Sequence, residues 1–297
     1  MTGVIVLDKP EGITSFWAAA QLRRITGEKK IGHTGTLDPM ASGVLPVLLG
    51  GATKFMELLP CHDKAYRATF LLGTVTDTLD ITGTVLSQRP VHAAAQDVEN
   101  ALAAFRGKIA QIPPMYSAVS KDGVRLYALA RQGIEVEREA REVEIFSLQT
   151  VCFDEKKGEY TVDVHCSAGT YIRSLVSDLG EALGCGAVLT ALRRTVANGF
   201  SADEAHTLDE LRSCSAETLQ SCIYSVDKVL SPYPAVSVTD KQATRFCNGG
   251  ELNADRLHDL GADGLYRVYA PGGRFLGLGN LDSTKAQLAV RRLLIER

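Results

Sequence analysis

The stretch Ile31–Pro46, I-G-H-T-G-T-L-D-P-M-A-S-G-V-L-P, constrains the fold more than any other segment of the chain. Three glycines, Gly32, Gly35 and Gly43, interrupt it. Glycine readily takes the positive φ and the close backbone approach that a sharply folded loop requires. Pro39 restricts the preceding Asp38 to extended backbone, and the apolar run Val44–Leu49 can anchor the loop in a core. One imidazole, His33, and one carboxylate, Asp38, thus sit on a stiff loop beside buried structure. Such a carboxylate suits nucleophilic or acid–base chemistry. A plain Asp-Pro turn has the same local signature.

What the chain lacks narrows its chemistry. No Gly-Lys-Ser/Thr occurs, so there is no Walker loop, and no G-x-G-x-x-G follows a strand pattern. Neither a nucleotide nor a dinucleotide cofactor is expected. Seven cysteines form no C-x-x-C pair and leave an odd count, which fits scattered thiols in a reducing compartment and no zinc or other metal. The longest apolar runs fall short of the ~18 residues of a membrane span. The N-terminus enters a strand pattern without a basic leader, which predicts a cytoplasmic protein. At 297 residues, 45% apolar and 23% charged, the chain suits one large globular domain plus a small one.

A formal net charge of -3 gives no global sign of a polyanion partner, but the charge is uneven. Arg106, Lys108, Lys121, Arg125 and Arg131 are accompanied between them by the single acid Asp122. Lys29-Lys30 precede the glycine loop and Arg193-Arg194 stand together later. Such a stretch reads either as a polyanion footprint or as ordinary solvated faces.

Periodicity supplies the rest. Gly3–Lys9 reads as a strand and Thr14-Ser15 as the cap of a helix running to Gly27. Tyr66–Leu72 is strand-like, with Ile81–Leu86 as its partner across a polar connection. Ala93–Phe105 has helical spacing. The proline-stiffened loop Ile112–Ala118 leads into Lys121, Arg125 and Tyr127, and aromatics among cations suit a nucleic-acid strand. Val124–Gln132 reads as a short helix ended by Gly133. Val143–Phe153 and Tyr160–Cys166 alternate as paired strands around a turn at Lys156-Lys157-Gly158. Thr170 caps a helix to about Leu183 with Ile172, Leu175, Val176 and Leu179 on its apolar face. That junction puts Tyr171 and Arg173 at a helix mouth. Arg173 has no acid close by in sequence, so solvent or a distant carboxylate must satisfy it. Ser231-Pro232-Tyr233-Pro234 reads as a linker. Beyond it, a helix over Asp240–Phe246 and short β-runs with Gly-rich turns suggest a small β-barrel-like domain.

These segments together carry a resemblance. G-H-T-G-T-L-D-P-M-A-S-G-V-L at 32–45 resembles the catalytic motif of the bacterial tRNA pseudouridine-55 synthases. Lys9-Pro10-Glu11-Gly12-Ile13-Thr14-Ser15 resembles that family's opening motif, and Lys64-Ala65-Tyr66 through Asp80 its second. Pro113–Ala118 with Gly123 and Tyr127, Gly169–Arg173 with Asp178-Leu179-Gly180, and Leu192–Thr195 follow in the family's order. Ala168 stands where the family often has lysine, and the tail is short for the RNA-binding PUA-type barrel usually appended.

The resemblance implies an α+β fold, a mixed, largely antiparallel sheet flanked by helices. It also implies a catalytic domain over 1–232 and a small C-terminal PUA-like RNA-binding domain over 235–297. It implies an isomerase that turns uridine 55, in the T-arm of tRNA, into pseudouridine, with no cofactor and no metal, acting as a monomer. Asp38 is then the nucleophile, Arg173 the cation that holds it ionised and oriented, and Tyr66 the aromatic platform under the flipped base. Tyr171 walls the base and Leu192 supplies an apolar contact. His33 fills the space the base leaves, or orients the loop by a hydrogen bond. Lys9, Lys121, Arg125 and Arg193 are assigned to the RNA backbone. A different class of reading, a tRNA folding factor whose modification activity is secondary, fits the same motifs.

Overall fold

The computed structural model of the chain describes residues 1–154 and 158–294. In chain order, β1 (Gly3–Lys9) and α1 (Ser15–Thr26) lead to β2 (Ile31–His33) and β3 (Ser42–Leu49), which bracket the glycine loop. Next come β4 (Lys64–Leu72), the ribbon β5 (Thr74–Thr76) and β6 (Val85–Gln88), α2 (Ala95–Ala104) and β7 (Gly107–Gln111). A second ribbon, β8 (Ser120–Lys121) and β9 (Val124–Arg125), precedes α3 (Leu126–Ala130). The long strands β10 (Arg141–Asp154) and β11 (Glu159–Cys166) follow, then α4 (Ile172–Ala182), β12 (Ala187–Ala197) and β13 (Phe200–Ser201).

Local chemistry explains the helix that opens the chain. The Thr14 hydroxyl accepts a hydrogen bond from the Trp17 N–H, and Gly27, at φ 69°, closes α1 in the left-handed conformation. Arg23 and Arg24 occupy its last turn, where the helix dipole favours cations. Ala18, Ala19 and Leu22 face the core.

Among the described residues the main sheet runs β1-β3-β12-β4-β11-β10-β7, with β2 on β3 and β13 on β12. Every pairing is antiparallel except β3 with β12, where Ser42 and Gly43 lie beside Arg193 and Arg194. A Cβ on Gly43 would stand 2.2 Å from the Arg194 carbonyl oxygen, so only glycine allows this crossing. Helices α2 and α4 contribute Val98, Leu102, Ile172, Leu175, Val176 and Leu179 to the core that also holds Phe70 and Val164. The fold is the mixed, largely antiparallel α+β arrangement expected from the motifs.

After α5 (Leu208–Ser213), α6 (Ala216–Ser221) and α7 (Val226–Val229) the chain enters β14 (Ala235–Ser237) and α8 (Asp240–Cys247). With β15 (Leu252–Asn253), β16 (Gly264–Tyr269), β17 (Phe275–Asp282) and β18 (Gln287–Leu293), β14 forms a sheet ordered β14-β16-β17-β18-β15. This sheet has its own core around Phe246, Tyr266 and Val268. Leu278 of β17, however, is buried with Val4, Val6, Leu48, Phe55 and Leu230 of the larger body. Arg267 of β16 also donates to the Tyr233 carbonyl and pairs with Asp227 at 3.1 Å. The Ser231–Pro234 segment is thus held against both bodies.

Three local expectations fail for identifiable reasons. Ile81–Leu86 does not pair with Tyr66–Leu72, because β4 is flanked by β11 and β12 and the ribbon β5–β6 closes on itself. The helix expected over Val124–Gln132 starts only at Leu126, since Val124 and Arg125 pair with Lys121 and Ser120. The Thr170 hydroxyl donates back to the Ser167 carbonyl instead of capping α4, whose cap position is Tyr171. Of the turn expected at Lys156-Lys157-Gly158, the two lysines lie outside the described residues.

Candidate active site

The Thr14-Ser15 motif holds the glycine loop from below. The Ser15 hydroxyl, buried, donates to the Leu37 carbonyl at 3.0 Å and accepts from the Leu37 N–H at 2.8 Å. The Gly12 N–H donates to the Pro39 carbonyl at 2.8 Å. Asp38 is therefore fixed on both sides by one short stretch of chain. Its side chain remains one-third exposed (33%), while Ser15 and Leu37 beneath it are buried.

Arg173 meets it from the first turn of α4. Its Nε lies 2.9 Å from Asp38 Oδ2 and its Nη2 donates to Oδ1 at 3.0 Å, a two-point grip across 135 positions of sequence. The same guanidinium donates to the Thr78 carbonyl at 3.0 Å and the Tyr116 carbonyl at 2.8 Å. Behind it, Asp80 Oδ2 lies 3.7 Å from Nη1. Asp80, buried, is held by the hydroxyls of Thr78 and Thr82 and by the Thr82 N–H.

Two carboxylates thus share one buried cation. Burial pushes the Asp38 carboxyl above the ordinary carboxylate range, Arg173 opposes that shift, and the Asp80 charge adds to it. Chemistry that needs ionised Asp38 is then lost as pH falls through this raised value. Asp80→Asn keeps an oxygen for Thr78 and Thr82 but removes the charge. The acidic limb of the pH–rate profile is expected to move to lower pH in that variant; an upward or absent shift would show that Asp80 does not act on Asp38 electrostatically.

A second cation stands behind the loop. Arg194, fully buried, donates from Nε to the Val44 carbonyl at 2.7 Å and from Nη2 to the Gly35 carbonyl at 3.1 Å. Arg194 is paired in register with Tyr66, and its charge faces the phenol. Burial nevertheless pushes Tyr66 up to about 12, with Arg194 pulling the other way. The resting phenol is protonated at neutral pH. His33 is depressed by burial and then by Arg194, so its imidazole is neutral at neutral pH, and its buried Nδ1 has no hydrogen-bond partner. Leu192, buried, lies opposite Ala68 on the same strand pair as Tyr66 and Arg194.

The cations assigned to the RNA backbone are placed less favourably. Lys9 is fully buried, its ammonium donating to the Pro10 and Ile13 carbonyls, and burial lowers it to about 8. It is a loop fastener and not a phosphate contact. Arg193 is gripped at two points by Asp8, at 3.0 and 2.8 Å. Lys121 and Arg125 are exposed on the β8–β9 ribbon, donating to the Glu137 and Ala118 carbonyls. Sequence reasoning missed Asp80 and Arg194. Asp80 was within reach, since Thr76, Thr78 and Thr82 surround it in a short polar loop. Arg194 was hidden by the adjacent, half-buried Arg193.

Among the described residues no group of three or more His, Cys, Asp or Glu side chains could hold a metal, and no helix is long and apolar enough to cross a membrane.

The chain as a whole has counterparts among known sequences. Residues 23–172 match the model of the TruB family pseudouridylate synthase N-terminal domain. Residues 173–232 match the tRNA pseudouridylate synthase B C-terminal domain, and 234–294 the C-terminal model of pseudouridine synthase II TruB. The tRNA pseudouridine synthase B of Clostridium perfringens is 44% identical over 299 residues, covering 100% of both chains. The chain belongs to the TruB family of pseudouridylate synthases. Another TruB relative, the tRNA pseudouridine synthase B of Escherichia coli O1:K1, is 40% identical over 100% of this chain and 96% of its own length. Among solved structures, a Cbf5-Nop10-Gar1 complex contains a chain similar to this TruB-family member. It has a TM-score of 0.76 and 26% identity, over 100% of this chain and 86% of that one.

Proposed function

We propose that this chain isomerises uridine 55 in the T-arm of tRNA to pseudouridine, with Asp38 as nucleophile on a base flipped out of its stack. Membership of the family makes the chain an isomerase that forms pseudouridine in tRNA; the position, the nucleophile and the flipping are the proposal. The observation that carries it is the carboxylate of Asp38, partly open to solvent and gripped at two points by the buried Arg173.

The reaction breaks the C1′–N1 bond and forms C1′–C5; C5 loses a proton and N1 gains one. There is no net redox change and no departing group, so a carboxylate, a cation to orient it and a pocket for the base supply what is needed. Asp38 attacks at C1′ or at C6. Arg173 keeps it ionised against the pull of burial. Extruding the base costs a few kcal/mol, and stacking on Tyr66, with Tyr171 as the opposite wall, returns about 1–3 kcal/mol. Leu192 is the apolar contact, and His33, neutral, fills the vacated space. The C-terminal sheet is a PUA-like RNA-binding unit, and the enzyme works as a cytoplasmic monomer.

Incubating the purified chain with unmodified tRNA and mapping pseudouridine tests this reading. A product confined to position 55 supports it, and a product elsewhere or none refutes it.

Backbone binding has its own test. Lys121 and Arg125 are expected to neutralise phosphates, so tRNA affinity should fall steeply with salt. Reversing both charges is expected to weaken binding and to flatten the log–log salt slope by about 2, one unit for each lost contact. An unchanged slope would mean that the ribbon carries no phosphate contact.

A further inference from the structure

Helix α4 carries Arg173 two residues past its cap position, yet its cap residue, Tyr171, makes no side-chain capping bond. An uncapped first turn frays, because its N–H groups lack partners. The described structure supplies a fastening from elsewhere. Gln111, the last residue of β7, is buried with only 1% exposure. Its Nε2 donates to the Tyr171 carbonyl at 3.1 Å, and its Oε1 accepts from the Tyr171 N–H at 2.7 Å. One side-chain amide thus pairs with both polar groups of one residue, as a neighbouring strand would. The Tyr171 carbonyl also accepts the first helical bond, from the Leu175 N–H. Alongside, the buried Ser174 hydroxyl donates to the Ile112 carbonyl at 2.9 Å, and Arg173 reaches the Tyr116 carbonyl.

We infer that Gln111 is a positioning residue for the reaction, its amide acting as an external cap that fixes the backbone of Tyr171 and, through the first turn of α4, the guanidinium of Arg173. Gln111 touches neither Asp38 nor the base; it acts through the helix mouth. It suits the task because it is buried, uncharged and both donor and acceptor in one plane. A carboxylate in its place would accept from the Tyr171 N–H but set its second oxygen against the Tyr171 carbonyl unless protonated. The inference rests on the reading of the site as a pseudouridine-forming centre. Turnover of the native chain on unmodified tRNA, measured in the same series, tests that reading separately.

Two variants test the inference. In Gln111→Leu, kcat is expected to fall about 100-fold, the scale of a displacement near 1 Å at a reacting centre, with KM and tRNA affinity within about threefold. In Gln111→Glu, the ratio of its kcat to the native value is expected to rise as pH is lowered from about 8 to about 6, since the protonated acid restores the missing donor. A native kcat in the leucine variant would overturn the inference, as would parallel losses of kcat, tRNA affinity and melting temperature. If the leucine variant does not fold, the glutamate series decides: a rising ratio supports the inference and a flat one refutes it.

Discussion

Asp38→Asn is expected to abolish turnover, by at least about 10⁴-fold as for other enzymes deprived of their nucleophile, while tRNA binding survives. The substitution keeps the size of the side chain and its place between the Leu37 and Pro39 fastenings. It removes the charge proposed to attack, and a neutral amide also relieves the burial penalty that raises the Asp38 carboxyl. The amide oxygen can still accept from Arg173, so thermal stability should fall less than in Arg173→Met. Pseudouridine formation by the variant at more than about 1% of the native rate would refute the nucleophile assignment. The variant also separates two services. If it still promotes tRNA folding in cells, that activity is independent of the chemistry.

The second large effect belongs to Arg173. Removing one member of a buried ion pair costs roughly 3–5 kcal/mol. The Asp38 side chain is 33% exposed, so the lower end applies. That cost falls on folding; separately, Arg173→Met is expected to slow turnover by about 10²-fold, the scale of a reacting group displaced by near 1 Å, with a smaller effect on tRNA affinity. The cation also opposes the upward pressure on the Asp38 carboxyl. Its loss should therefore raise that pKa further and carry the acidic limb to higher pH, opposite to the shift expected for Asp80→Asn. Lysine should rescue only in part, because it retains charge without the planar fork that spans both carboxylate oxygens and the two carbonyls. Intact turnover with abolished binding would instead make Arg173 a phosphate ligand.

What the sequence shows and hides follows from the range of the forces involved. Gly32, Gly35, Asp38-Pro39 and Gly43 are legible because turn chemistry is local, the strands β4 and β11 because alternation is local, and β1 because it is a short β-rich run closed by a Pro-Glu-Gly turn. Arg173 is legible in a weaker sense. Its lack of an acidic neighbour implies a distant partner without naming Asp38. The error over Ile81–Leu86 has the opposite origin. A short apolar run is strand-like in isolation, but the flanks of β4 are taken by β11 and β12, and no local pattern records that competition. Lys9 misleads for a related reason. A lysine beside proline and glycine resembles an exposed loop cation until the fold closes over it and two carbonyls take its ammonium. Gln111 escapes notice because a lone glutamine before prolines carries no signal until α4 arrives opposite.

Leu278 gives the C-terminal sheet a second allegiance, since it belongs to the apolar cluster of Val4, Val6, Leu48 and Phe55. The two bodies therefore share part of one interior. Heating should melt them together in a single calorimetric transition, without the separate endotherms of beads on a string. A chain cut at Ser231 would bare that apolar surface and lose the Arg267–Asp227 pair, and it is expected to aggregate where a self-sufficient catalytic body would stay in solution. The small sheet is thus a structural dependency of the enzyme before it is anything else.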